Sequence, residues 1–368
     1  MSVAVESPVL FRTEPTVSGH HIAIATLNRP RQLNALDLEM CELMLAQFTR
    51  WAADPSIVCV MLDGAGDKGF CAGGDVAGVV RHLRGLAGTE GDARYVYGDT
   101  FFRVEYELDL LIHRYPKPFV AVSHGVCMGG GLGLVAGASH RAFVQGSKIA
   151  MPEIHIGLFP DVGGGYFLNR MQAGVGALLA LTRHVITAED ALDIGLADAV
   201  VTDDARTGLC AALQQCQWSG DGSRDKVVVT GVVRGFAVST DHAPSGTLMT
   251  HAADIARLAT CDSAPACRDT LASLAAQEPY FATAARSLAQ GSPTSAGVTF
   301  EYLRRTRSLD VAAVLELDLV LARQFQRRHD FSEGVRALLI DKDRAPKWSP
   351  ADWSQVRPGM IAAHFQPL

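Results

Sequence analysis

Residues 20–27 (His-His-Ile-Ala-Ile-Ala-Thr-Leu) alternate with the two-residue rhythm of a strand, and Asn28-Arg-Pro-Arg31 breaks the run. Helical spacing follows. Leu36, Met40, Leu43, Met44 and Trp51, with Gln47 on the same stripe, predict an amphipathic helix over 36–53. Ile57–Leu62 is a short apolar run, read as a buried strand that ends at Asp63-Gly-Ala-Gly66. Phe119–Val122 and Arg141–Val144 read as further strands beside glycine-rich turns. Strands alternating with helices predict an α/β core up to about residue 205. Thr187-Ala-Glu-Asp190 has the form of a capping box that starts a helix. Residues 84–98 are rich in glycine and charge and are expected to form a mobile loop. From 206 onward the pattern is mostly helical (251–260, 268–276, 279–290, 310–328), with weak signals between 215 and 247. The expectation is a core over 1–205 and a helical region over 206–368.

Composition narrows the classes. A chain of 368 residues with 48% hydrophobic and 20% charged residues can bury a large core. Its net charge of −6, without a long Lys/Arg run, argues against a nucleic-acid partner. The 8 cysteines contain no Cys-x-x-Cys pair, and the start lacks a basic segment followed by an apolar one. A reduced, cytoplasmic chain is expected. No apolar run reaches membrane-spanning length unbroken, so no membrane partner is expected. The 12 histidines show no metal-ligand spacing, and neither a metal nor a separate cofactor is indicated.

Chemistry concentrates in three stretches. Residues 151–165 (Met-Pro-Glu-Ile-His-Ile-Gly-Leu-Phe-Pro-Asp-Val-Gly-Gly-Gly) carry Glu153 and Asp161 in apolar surroundings. His124-Gly-Val-Cys-Met-Gly-Gly-Gly-Leu-Gly-Leu134 and Lys68-Gly-Phe-Cys-Ala-Gly-Gly-Asp75 are dense in glycine, which lets backbone N–H groups approach a ligand. Neither stretch fits a nucleotide-phosphate motif. Two turns that each present one N–H can grip a single carbonyl oxygen, while tight helix-on-strand packing is the plainer alternative. Glu153 is a catalytic candidate or an ion-paired structural acid. Asp161 is a second candidate, or the cap of a helix opening at Val162-Gly-Gly-Gly165. Glu105 shares a helical stripe with Phe101, Leu108 and Ile112, so it must be paired, protonated or placed at a site. Cys71 or Cys127 with His124 or His155 would make a thiol nucleophile, against the commoner reading of small buried hydrophobes.

These residues together resemble the enoyl-CoA hydratase/isomerase (crotonase) superfamily. Leu27-Asn-Arg-Pro-Arg-Gln-Leu-Asn-Ala-Leu36, Phe70-Cys-Ala-Gly-Gly-Asp75, Met128-Gly-Gly-Gly131, Ala188-Glu-Asp-Ala191 and Gly195-Leu-Ala-Asp-Ala-Val-Val201 carry the likeness. The resemblance implies a spiral of ββα turns that binds acyl-CoA thioesters, with the amides of Ala72 and Gly130 as oxyanion hole. Hydratases of this superfamily use two glutamates. Glu153 matches the second, but Gly133 stands at the first.

Met151-Pro-Glu153, Ile156-Gly-Leu-Phe-Pro-Asp-Val-Gly-Gly-Gly-Tyr-Phe-Leu168, Ser292-Pro-Thr-Ser295, Asp330-Phe-Ser-Glu-Gly-Val-Arg336, Leu339-Ile-Asp-Lys-Asp343 and Pro346-Lys-Trp348 are similar to the 3-hydroxyisobutyryl-CoA hydrolase branch. By this similarity Glu105, Gly130, Glu153 and Asp161 bind substrate, and Glu153 and Asp161 are catalytic. Ile154-His155 departs from the smaller residues expected there. The implied activity is hydrolysis of a short β-hydroxyacyl-CoA in valine breakdown, with CoA as part of the substrate. An enoyl-CoA hydratase or isomerase is the enzymatic rival, and an acyl-CoA-binding scaffold the non-enzymatic one. Assembly into a homo-oligomer stays open.

Overall fold

The structure is a computed structural model that describes residues 7–87, 91–238 and 246–368. The first stretch runs through β1 (Val9–Pro15), β2 (His21–Leu27), α1 (Leu38–Ala53), β3 (Ile57–Gly64), β4 (Gly69–Cys71) and α2 (Val76–Gly85). Next come α3 (Val96–His113), β5 (Phe119–Ser123), β6 (Val126–Met128), α4 (Gly130–Ala136), β7 (His140–Val144) and β8 (Lys148–Ala150). Then follow α5 (Gly164–Leu168), α6 (Val175–Thr182), α7 (Ala188–Asp193), β9 (Ala199–Val201), α8 (Ala205–Gln214) and α9 (Gly222–Gly235). The remainder is helical: α10 (Ala252–Ile255), α11 (Ala264–Gln277), α12 (Ala282–Gln290), α13 (Pro293–Thr306), α14 (Val311–Gln326), α15 (His329–Val335) and α16 (Pro358–Ala362).

Compactness divides the chain into two units. One takes the chain up to Gly74, Glu107–Ile149 and Ile186–Gly246; the other takes Asp75–Tyr106, Ala150–Val185 and Thr247–Leu368. The boundary at 205/206 read from the sequence follows the change from alternating strands and helices to a helical pattern, whereas the compact units interleave along the chain.

In the first unit, a six-stranded sheet runs β1-β2-β3-β5-β7-β9 and a three-stranded sheet runs β4-β6-β8. Only the β1–β2 pair of the large sheet is antiparallel. From β3 to β9 successive strands alternate between the two sheets, which is the expected ββα spiral. Central strand β3 is apolar and buried over Ile57–Leu62, as a parallel strand covered on both faces must be. Helix α1 starts where Asp37 accepts the Met40 N–H at 2.9 Å, and it buries Met40, Cys41, Met44, Phe48 and Trp51. The capping box at Thr187 and Asp190 is present.

Two sequence expectations change. The expected loop over 84–98 falls partly on residues 88–90, outside the described residues; around them α2 continues to Gly85, a 3-10 helix spans Gly91–Tyr95, and α3 begins at Val96. The weak stretch 215–247, apart from residues 239–245 outside the described set, holds α9. Its run of valines disfavours helix intrinsically, but Val229 and Val233 join Ile22, Val58 and Trp218 in the core, and burial overrides propensity. The reading of the first few residues as lacking a leader likewise lies outside the described residues.

The second unit is a helical assembly with an aromatic centre. Phe159 stacks on Phe325 at 5.5 Å and meets Tyr302 edge-on at 5.1 Å.

Candidate active site

The glycine turns come together because their parent strands do. β4 and β6 are parallel neighbours with Cys71 opposite Cys127, so the chain leaves both at the same end of the small sheet. The approach is close enough to demand glycine: a Cβ on Gly131 would stand 2.5 Å from the Cys71 carbonyl oxygen. The second turn opens α4, and no hydrogen bond of the Gly130 amide is found among the described residues. The first turn differs from expectation. The Ala72 N–H already donates to the Leu33 carbonyl at 3.0 Å, which removes it as a ready donor. Gly73 N–H points at the Cys71 sulfur at 3.4 Å. The Gly74 amide carries no such bond among the described residues, so it is the donor that this turn has to offer.

The acids gather in the second unit. Glu153 opens a short 3-10 turn after Pro152, is 3% exposed, and its Oε2 has no hydrogen-bond partner among the described residues. Burial first, and the charge of Asp161 second, hold its carboxyl well above the ordinary range. Asp161 is also buried, and burial lifts it to about 6 even though the Tyr106 hydroxyl donates to its Oδ2 at 2.6 Å. Two such neighbours titrate as a pair. Burial and the neighbouring Asp161 charge both favour the protonated, neutral form of Glu153.

Glu105 lies on α3 one residue before Tyr106, and its stripe mates Phe101, Leu108 and Ile112 are all buried with it. Asp161 does not cap α5. That helix starts from Gly163 without a side-chain cap, and the Gly163 N–H is taken by Asp318 of α14 at 2.8 Å.

The C-terminal motif supports the turn that carries Glu153. Gly157, at φ +66°, closes this turn against α15, where a Cβ would meet the Asp330 carbonyl oxygen at 2.1 Å. Asp330 accepts from the Ser292 hydroxyl at 2.6 Å and from the Ser349 N–H at 2.8 Å. Arg336 bonds Glu333, Asp341 and Asp343 at 2.8, 2.9 and 2.6 Å. These polar residues hold the chain path, and they explain why the motif is so rich in acids.

Residues 22–365 match the model of the enoyl-CoA hydratase/isomerase family. The chain belongs to that family. Similar curated relatives include the mitochondrial 3-hydroxyisobutyryl-CoA hydrolases of Homo sapiens and Gallus gallus. They are 36% and 35% identical over 348 residues, which is 94% of this chain and 86% of each relative. Among solved structures, a carnitinyl-CoA dehydratase from Mycobacterium thermoresistibile is similar with a TM-score of 0.85 and 31% identity, covering 99% of this chain and 97% of that one. An enoyl-CoA hydratase from Rhodobacter sphaeroides gives 0.83 and 35%, with 98% of both chains covered.

Within this family's frame the thiol reading weakens. Burial pushes the Cys127 thiol up to about 12 and pushes both His124 and His155 down to about 4, so none is poised to form or assist a thiolate. His155 instead lies 2.7 Å from the Ser287 hydroxyl, and Ile154 packs on Gly291. Their departure from smaller residues therefore serves packing against α12. Among the described residues no cluster of His, Cys, Asp and Glu suits a metal ion, and no helix is long and apolar enough to cross a membrane.

Sequence reading missed Tyr106 and Asp318. A signal for Asp318 existed: Val311, Val314, Leu315, Asp318, Leu321, Ala322 and Phe325 fall on one stripe of α14, and all are buried. The argument that singled out Glu105 applies equally there.

Proposed function

We propose that this chain hydrolyses the thioester of a short β-hydroxyacyl-CoA, 3-hydroxyisobutyryl-CoA, to 3-hydroxyisobutyrate and free CoA, as in valine breakdown. The observation that carries the reading is the buried pair Glu153–Asp161 in a chain with Gly133 inside α4. Hydration of a double bond needs a second acid/base group where Gly133 has no side chain. Hydrolysis needs one strong base or nucleophile, which a proton-hungry glutamate supplies. The names of the human and chicken relatives agree with it.

In this reading the thioester oxygen takes hydrogen bonds from the amides of Gly130 and Gly74, in place of the Ala72 amide expected from the sequence. Each such donor stabilises the tetrahedral oxyanion by roughly 3 kcal/mol. Glu153, once deprotonated, attacks the carbonyl and expels CoA as thiolate, leaving an anhydride that water opens; alternatively it takes the proton of an attacking water. A single turnover in ¹⁸O-water tests for the anhydride: label on Glu153 requires water to have opened an anhydride at the Glu153 carbonyl, because the general-base route places the water oxygen only in the product acid. Asp161 and Glu105 orient water and the substrate hydroxyl. We keep the cytoplasm as the proposed location, to be checked by cell fractionation.

The test is thiol release from a panel of short acyl-CoAs. Free CoA should appear from 3-hydroxyisobutyryl-CoA, with little hydration of crotonyl-CoA. Rapid crotonyl-CoA hydration without thiol release would overturn the proposal in favour of a hydratase. Binding of acyl-CoA with neither reaction would make the chain a scaffold. Glu105→Leu should cut kcat/KM for the 3-hydroxy substrate at least tenfold more than for isobutyryl-CoA, roughly the discrimination a polar site exerts on a hydroxyl.

A further inference from the structure

Val162 sits at φ +53°, next to Asp161. A β-branched side chain crowds its own backbone in this left-handed region, so the surroundings must impose the conformation. The imposing groups come from helices more than a hundred residues further along the chain. Asp318, wholly buried on α14, accepts the Gly163 N–H through Oδ2 at 2.8 Å. The Tyr302 hydroxyl, on α13, accepts the Gly165 N–H at 2.8 Å and stands beside the same carboxylate. On the other side of Val162, Phe159 is locked between Phe325 and Tyr302. The turn is therefore tied at both ends, and Asp161 lies inside the tied segment with its carboxylate on the Tyr106 hydroxyl at 2.6 Å. A buried acid is a costly way to fill this space, since an apolar side chain would pack there without the desolvation penalty. What an apolar residue could not do is accept the Gly163 N–H.

We propose that Asp318 is a positioning residue of the reaction: by accepting the Gly163 N–H it holds Val162 in its left-handed conformation and sets where Asp161 presents its carboxylate. Asp318 acts through Asp161 and touches no substrate. The kinetic part of the test rests on the hydrolase reading, whereas the structural part does not.

Three variants of the full chain separate this role from simple packing. Asp318→Asn keeps an oxygen for Gly163, Asp318→Ala removes it, and Val162→Gly relieves the crowding that the clamp opposes. The asparagine variant should keep kcat within about fivefold of wild type, and the alanine variant should lose roughly 30-fold or more in kcat with KM almost unchanged, the scale expected for misplacing a catalytic group. Adding Val162→Gly to Asp318→Ala should restore at least about threefold of that loss, because glycine adopts the left-handed turn unaided. Hydrogen exchange at the Gly163 amide should quicken in the alanine variant and not in the asparagine variant.

Equal losses for Asn and Ala, a loss confined to KM, or no recovery with Val162→Gly would overturn the proposal. If the alanine variant does not fold, Tyr302→Phe decides: a several-fold lower kcat at constant KM with faster Gly165 exchange supports the clamp, and wild-type values refute it. If the wild type releases no thiol while Gly163 exchange still responds to Asp318→Ala, the hydrolase reading has failed and the clamp stands. Normal thiol release with unchanged exchange in that variant means the reverse.

Discussion

The glycine turns of the first unit build their chemistry from main-chain amides, whereas the acids of the second unit build theirs from side chains on four separate segments. The amides of Gly74 and Gly130 sit at the ends of neighbouring parallel strands, so the sheet's hydrogen bonds fix them before any side chain is placed. Glu153, Asp161, Asp318 and the Glu105–Tyr106 pair come from a 3-10 turn, a loop and two helices. Each can be exchanged alone, but their charges are felt by one another. The lesson is that the first region can be damaged only through geometry, and the second through charge as well.

The largest test of this contrast is Glu153→Gln, which keeps the shape and removes the base. Turnover should fall by roughly 10³-fold or more, the upper part of the range for acid–base and nucleophilic groups, while acyl-CoA binding by calorimetry persists. Stability should move the other way. Folded Glu153 binds its proton more tightly than the unfolded chain does, so between the ordinary carboxylate pKa and the raised one the folded state holds more protons. Rising pH through that window therefore destabilises the wild type. The glutamine variant should melt higher than wild type at pH 8, and the gap should close by pH 4. Near-normal turnover would mark Glu153 as structural.

Gly131→Ala strikes the first region. Its Cβ would meet the Cys71 carbonyl oxygen at 2.5 Å, forcing the two turns apart without touching any charge. A loss in kcat of about 10²-fold, typical of one misplaced oxyanion donor, is expected with an unchanged pH profile. A shifted profile would show that the turn geometry and the titration of the acids are linked.

The smallest effect sharpens the second region. Asp161→Asn removes the negative charge that adds to burial in raising Glu153. The acid limb of kcat/KM should move to lower pH by about one unit, since loss of a neighbouring negative charge favours the ionised carboxyl. Burial, the larger cause, stays in place, so the limb should not reach the ordinary carboxylate value. A limb that stays put, or one that moves upward, would remove Asp161 from the titration of Glu153.

Much of this is legible in the amino-acid sequence. Period-two spacing located β2, helical spacing α1, a short apolar run β3, and segments beside glycine-rich turns β5 and β7, while glycine density marked both turns. An acid on an apolar stripe marked Glu105, and the Met-Pro-Glu context marked Glu153. Each is a local pattern, in which residues a few positions apart report a common face or a backbone conformation. Helix α13 was missed even though Ser292 and Pro293 are a cap and first-turn pair that local rules can read.

Other features had no local signature. Which amide of the first turn stays available depends on Leu33, whose carbonyl takes the Ala72 N–H from nearly forty residues upstream, while the Gly74 amide has no hydrogen bond among the described residues. Helix α9 exists because the core accepts its valines, against their intrinsic preference. The left-handed Val162 depends on Asp318, 155 positions from the Gly163 amide that it holds. The amino-acid sequence by itself determined the family, most strands and helices of the core, and that Glu105, Glu153 and Asp161 stand in apolar surroundings. Only the tertiary structure decided which turn amides are bonded among the described residues and how far burial raises each acid, because hydrogen-bond competition and desolvation are set by groups far apart in the chain.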